Sequence, residues 1–230
     1  HYGDVSAVIM QNLPPWAQFI RTPSLEVALM PNWEEKIERL ARETIDVNVT
    51  NIAGVPTWTV LLLQYILTKE NKSSMLEVWP NLEVFFHGGV AFKPYRNLFR
   101  SLIPSDTMRY WETYNASEGF FGIQDQPNSE DLLLMLDYGV FYEFIPVDEL
   151  DKEYPEAISL GDVEVGKNYA MLITTNAGLW RYSIGDTVKF TSTSPYRIRI
   201  SGRTKHFINA FGEEIIIDQG CSKWFDTGSF

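Results

Sequence analysis

The sequence predicts an α/β protein: a mostly parallel sheet with flanking helices over residues 1–122, followed by a β-rich segment over residues 123–200. Two observations carry this. Up to Gly122, stretches with apolar residues at helical spacing alternate with short β-branched or aromatic runs, the pattern of a parallel sheet covered by helices. Beyond Gly122 the texture changes to short strands separated by turn residues. A domain boundary is expected at 201–205, where a strand meets Gly202 and a charged turn, leaving 201–230 as a separate segment.

The elements follow in order. "NWEEKIERLARETI" places Trp33, Ile37, Leu40 and Ala41 on one helical face, with Asn32 and Glu35 at the spacing of a capping box. "VNVTNIAGV" reads as a strand and loop, and "PTWTVLLLQYILTKEN" as a buried helix with Pro56 in its first turn. "LEVFFHGG" is an apolar strand ending in a glycine pair; "FKPYRNLFRSLI" is helical and "MRYWETY" a strand. The later strands are "LLLMLDYGVFYEFIPV", "YAMLITT", "LWRYSIGDTVKFTS", "YRIRISG" and "HFINAF", with turns expected at "NAG" and "SIGD". "DELDKEYPEAISLGDVEVGKN" reads as an acidic surface connection. The opening at His1 and the aperiodic close "GCSKWFDTGSF" read as cut ends, so the chain is expected to be a fragment.

With 45% hydrophobic and 14% aromatic residues in 230, the chain has ample core for a globular fold. Its longest apolar run, "TVLLLQYIL", is broken by Gln64 and falls short of the roughly 20 residues a membrane span needs. No signal peptide is read at the start, and the single cysteine, Cys221, suits a reducing cytoplasm. The formal charge of −11 argues against nucleic acid or an anionic membrane as partner. Charge is uneven, however. Arg181, Lys189, Arg197, Arg199, Arg203 and Lys205 share one stretch whose only acid is Asp186, a strip suited to a small polyanion. The plainer reading gives Arg197 and Arg199 the solvent face of a strand with isoleucines inside.

No phosphate-binding G-x-x-x-x-G-K-[ST] loop, dinucleotide fingerprint or H-E-x-x-H helix is present, and three histidines and one cysteine lie far apart. Four clusters remain. In "FFHGGVAFKPY", Gly88 and Gly89 would lie at a strand's carboxyl end, where ligands bind open sheets; they equally suit an ordinary turn. In "TYNASEGFFG", Tyr114 offers a ring for a base, Ser117 a hydroxyl for a phosphate oxygen and Glu118 a carboxylate for Mg²⁺; the alternative is a helix start capped by Asn115 or Ser117. In "GLWRYSIGDTVKF", Asp186 is either turn chemistry or a bidentate acceptor for ribose hydroxyls. In "SGRTKHFINAFGEEI", Arg203 and Lys205 flank the expected boundary, meeting a nucleotide or solvent.

Taken together, "YNASEGFFG", "GVFYEFIP" and "GLWRYSIGD" resemble the adenylate-forming superfamily. Within it they are most similar to the acyl-acid amido synthetases, which include the auxin- and jasmonate-conjugating enzymes of plants and bacterial relatives. The resemblance runs from about Asp4 to Ile217. It implies the fold of that superfamily's large N-terminal domain, with 201–230 holding the hinge and the start of a small C-terminal domain. It implies adenine stacking for Tyr114, ATP or AMP contacts for Gly88, Gly89, Asn115 and Ser117, and Mg²⁺ coordination with a catalytic role for Glu118. It further implies ribose binding by Asp186, a hinge arginine at Arg203 and a catalytic pivot at Lys205. Apolar residues near these clusters, Thr57, Trp58, Val90 and Phe121, are candidates to line the acyl pocket; for Trp58 and Phe121 the plainer reading is core, since large aromatics are usually buried.

The implied activity is ATP-dependent, Mg²⁺-assisted conversion of a small carboxylic acid to an acyl-adenylate, then amide formation with an amine or amino acid. The family's phosphate loop and C-terminal lysine lie outside the stretch that resembles it. A nucleotide-binding remnant without turnover therefore stands as one alternative. An interaction or carbohydrate-binding module using Trp180, Tyr182 and Tyr196 stands as another.

Overall fold

The computed structural model describes the backbone of residues 5–204, 207–210 and 213–216, and the side chains of 7–204. The chain forms two units, His1–Glu130 and Asp131–Phe230.

In the first unit, α1 (Val5–Gln11), α2 (Ala17–Ile20), α3 (Leu25–Ala28) and α4 (Trp33–Thr44) precede β1 (Asn51–Gly54). The Asn32 side chain caps α4, accepting from the Glu35 N–H at 3.0 Å and satisfying one of the donors a helix start leaves free. Next come α5 (Pro56–Glu70), β2 (Val84–His87), α6 (Arg96–Leu102), β3 (Arg109–Ala116) and β4 (Gly119–Gln124). β1, β2 and β3 pair in parallel, whereas β3 and β4 form an antiparallel hairpin. The parallel character expected of the sheet is thus confined to three strands, since a two-residue link between β3 and β4 leaves no room for a crossover.

The helix α5 starts at Pro56, whose missing N–H costs nothing in the first turn, and stops at Asn71 in the left-handed region. It buries Thr59, Val60, Leu63, Ile66 and Leu67, a stripe of helical spacing, and leaves Trp58 and Leu61 exposed. Phe85 of β2 lies fully buried beneath it, stacked on Phe99 of α6 at 4.7 Å and edge-on to Phe92 at 6.1 Å. Nearby, the Trp79 indole donates to the Thr44 carbonyl at 2.9 Å, so this large ring is buried without stranding its polar atom.

The second unit is antiparallel, with β5 (Leu132–Leu134), β6 (Val140–Pro146), β7 (Ile158–Ser159), β8 (Asn168–Thr175), β9 (Tyr182–Thr193) and β10 (Tyr196–Arg203). Pairing runs β5, β10, β9, β8, β6, β7. A separate hairpin joins β11 (Phe207–Ala210) to β12 (Glu213–Ile216). The core of the second unit includes Phe144, Tyr169 and Phe190, packed edge to face at 5.0–6.1 Å. The run "LLLMLDYGVFYEFIPV" splits into β5 and β6, broken before Gly139, which sits at φ +74°. The "NAG" turn is present at Asn176–Ala177, but "SIGD" is not a turn. It lies inside β9, because Gly185 at φ +82° takes up a bulge and lets the strand continue. Among the described residues, no helix is long and apolar enough to cross a membrane.

Truncating the Phe85 ring should cost about 3–5 kcal/mol, the range for a fully enclosed aromatic. Phe19→Ala on α2, where the ring is 88% exposed, should stay within about 0.5 kcal/mol. Urea unfolding of both variants checks the contrast, and comparable losses would contradict this core.

Candidate functional site

The carboxyl end of the parallel strands is built around a close approach. After β2 ends at His87, a β-carbon on Gly88 would stand 2.5 Å from the Thr113 carbonyl oxygen, so only glycine lets the chain pass β3 here. The Thr113 hydroxyl donates to the His87 carbonyl at 3.1 Å, and the Asn115 Oδ1 lies 3.4 Å from the same hydroxyl. Gly89 follows at φ +80°. The glycine pair therefore serves the chain's own path before any ligand.

β3 and β4 are joined by Ser117 and Glu118, with Ala116 facing Gly119. The stretch "TYNASEG" is a hairpin and not the alternative capped helix. Its ladder slips where Tyr114 faces Gly122 but Asn115 faces Phe120, leaving Phe121 as the extra residue of a bulge. Asn115 and Ser117 are exposed and Glu118 is half-buried at the tip. Tyr114 is only 5% exposed and meets the buried Phe121 ring edge-on at 5.2 Å. Both rings are thus packed at the base of the hairpin. Among the described residues, no three histidine, cysteine or acidic side chains gather as a metal cage. A lone carboxylate at Glu118 fits Mg²⁺, which takes one or two protein oxygens and fills its shell from phosphate and water.

Around the same strand ends lie the acyl candidates. Thr57 and Trp58 open α5 directly after β1; the Thr57 hydroxyl lies 3.1 Å from the Tyr95 hydroxyl, and Trp58 packs on Trp33 at 4.7 Å. Val90 follows the glycine pair and is half-buried.

In the second unit, the β8–β9 register jumps from Ala170 opposite Thr187 to Leu172 opposite Ser183. Gly185 and Asp186 sit in that bulge. The Asp186 carboxylate, 14% exposed, receives Arg203 Nε at 3.2 Å from the facing position of β10. The Gly185 carbonyl accepts from the Thr204 N–H at 2.8 Å. Lys205 lies outside the described residues.

Part of the positive strip expected at 181–205 is neutralised from elsewhere in the chain: Arg181 pairs with Glu143 and Arg199 with Asp131. Sequence reasoning also missed His87. It is 3% exposed, stacks on Phe92 at 4.0 Å, and its Nδ1 has no partner among the described residues. Burial, and then the charge of Arg96, pushes this imidazole down to about 4. A histidine ending an apolar strand was the available signal.

These elements can be set beside known proteins. The GH3 family N-terminal domain matches residues 1–108, and the GH3 family central domain matches residues 133–203. The chain belongs to the GH3 family. An indole-3-acetic acid-amido synthetase of Arabidopsis thaliana, GH3.4, is 30% identical over 184 residues, covering 71% of this chain and 30% of the relative. A second from that plant, GH3.3, is 29% identical over 183 residues with the same coverage. The chain thus spans about a third of the length of these relatives. Among solved structures, the GH3.15 acyl acid amido synthetase aligns at a TM-score of 0.66 and 14% identity, covering 84% of this chain and 43% of that one. An open conformation of 2-hydroxyisobutyryl-CoA ligase, in complex with 2-HIB-AMP and CoA, aligns at 0.56 and 15% identity, covering 81% and 43%. At these identities the likeness is one of fold: that of the large domain of adenylate-forming enzymes.

The His87 imidazole gives a pH test. Its folded value lies below the unfolded value of 6.5, so on acidification the unfolded chain takes up the proton first. Stability from this group is intact above about 6.5 and declines towards about 4, by on the order of 3 kcal/mol in all. His87→Phe should flatten that part of the stability–pH curve in urea titrations. Parallel curves for the two proteins would show that the imidazole is not held neutral.

Proposed function

We propose that this chain carries the acid-activating core of an acyl-acid amido synthetase. It would use Mg·ATP to convert a small carboxylic acid into an acyl-adenylate and pass the acyl group to an amine or amino acid. The observation that carries the reading is the hairpin Tyr114–Glu118 standing beside the glycine pair at the carboxyl end of a parallel sheet, in a GH3 family chain.

The roles follow from what each residue presents. Glu118 would hold Mg²⁺, which supplies charge stabilisation at the transferring phosphorus. Ser117 and Asn115 offer exposed hydrogen-bonding groups for phosphate, and Gly88 and Gly89 leave room beside the adenine. Asp186, held by Arg203, would accept the ribose hydroxyls. Thr57, Trp58 and Val90 would line the acyl site, with Phe121 behind them. A substrate carboxylate oxygen attacks the α-phosphorus and pyrophosphate leaves; the amine then attacks the acyl carbon and AMP leaves with the bonding electrons. Positioning by these residues is the main contribution expected of the protein. We assign 201–205, with Arg203 and Lys205, as the pivot of a C-terminal domain serving both half-reactions. The single cysteine supports a cytoplasmic setting.

Calorimetric titration with AMP and with Mg·ATP tests this. Asp186→Asn should weaken both ligands about tenfold or more, by loss of a charged acceptor. Glu118→Gln should weaken Mg·ATP and leave AMP unchanged. A folded chain that binds neither nucleotide would overturn the assignment.

A further inference from the structure

At the opposite end of β3 from the hairpin, the first unit contains a cavity of about 790 Å³. Tyr110 and Ser117 are seven residues apart on an extended chain, so roughly 23 Å separates the start of β3 from the hairpin tip, while Gly88, against Thr113, lies about 10 Å along the strand from Tyr110. Its walls include Arg96 and Arg100 of α6 and Arg109 and Tyr110 at the start of β3. Arg96 and Arg100 are four apart on the helix and share a face.

The charge state of these arginines sets the cavity apart. Arg39, Arg42, Arg181, Arg199 and Arg203 each hold a carboxylate within 4.0 Å. Among the described residues, Arg96, Arg100 and Arg109 form no ion pair, although the chain carries 30 acidic residues against 19 basic ones. Acids lie near as well: Asp106 lines the cavity, and Glu112 feels the charge of both Glu130 and Arg96. Burial, and then the charge of Glu130, raises the Glu112 pKa. The Tyr110 hydroxyl is buried and has no partner among the described residues, an arrangement that costs free energy unless something fills it. Burial pushes that phenol up to about 12, so it stays a donor at neutral pH. Trp111, half-buried at the wall, adds a flat surface.

The geometry points to a second ligand site here, separate from the proposed nucleotide contacts, that binds a phosphate-bearing small molecule through Arg96, Arg100 and Arg109 with the Tyr110 hydroxyl as a fourth donor. Guanidinium groups match phosphate oxygens in pairs, and three of them with a neutral donor suit more than one negative charge. The volume falls within the 300–1,000 Å³ typical of small-molecule pockets, far more than a free phosphate ion fills.

Inorganic pyrophosphate serves as the probe, titrated calorimetrically into the 230-residue chain at low salt. Saturable binding is expected, weakened tenfold or more in Arg100→Gln/Arg109→Gln and several-fold in Tyr110→Phe. Arg21→Gln, which removes a half-buried arginine elsewhere, should bind as wild type; circular dichroism and thermal melting verify that all variants are folded. The proposal fails if the wild type shows no saturable binding. It fails equally if the folded double variant binds unchanged, which would place the anion elsewhere, or if Arg21→Gln weakens binding to the same degree, which would reduce the effect to net charge.

Discussion

The packing of Phe85 against Phe92 and Phe99 is the constraint from which much of the first unit follows. Because strand side chains alternate, Phe85 and His87 face the same side of β2 while Phe86 turns outward. Phe92 touches both inward rings, so the segment from strand end to helix is pinned on each side of the glycine pair. The route of residues 88–91 is then set by core packing. That is why a histidine can be buried here, with aromatic faces above and beside it.

The sequence disclosed the large features well. Apolar spacing and capping chemistry gave α4 and α5, and β-branched or aromatic runs gave β2, β3 and most strands of the second unit. It was less informative where one short stretch had two physical solutions. "SIGD" has turn composition, yet a glycine at positive φ can equally open a bulge inside a strand, and only the neighbouring strands decide which. "TYNASEG" has capping residues, but β4 pairs back onto β3 and the helix never starts. The nucleotide candidates were reached by motif and the acyl candidates by nearness to those motifs, and neither route says how deeply a side chain such as Tyr114 is packed.

Charge proved the least readable property. The basic strip at 181–205 is conspicuous in the chain but meets its carboxylates through strand pairing and across long sequence distances, as Arg181 does with Glu143. Arg96, Arg100 and Arg109 draw no attention in one dimension. They converge only because α6 ends near the start of β3. β3 thus runs from a cationic, water-accessible hollow to a tip bearing an acidic residue, two chemically unlike ends on one strand.

The bulge at 183–186 has a consequence for how this segment can change over time. Beyond it, Val188 and Phe190 point into the second unit's core and Lys189 points out, a phase fixed by the number of residues the bulge absorbs. Removing one residue there would reverse that phase, burying the lysine and expelling Phe190. Gly185, at φ +82°, and Asp186, paired with Arg203, constrain composition within the bulge, and a single-codon deletion would be felt through the whole strand beyond it. Length, as well as composition, is what selection must hold constant in this stretch.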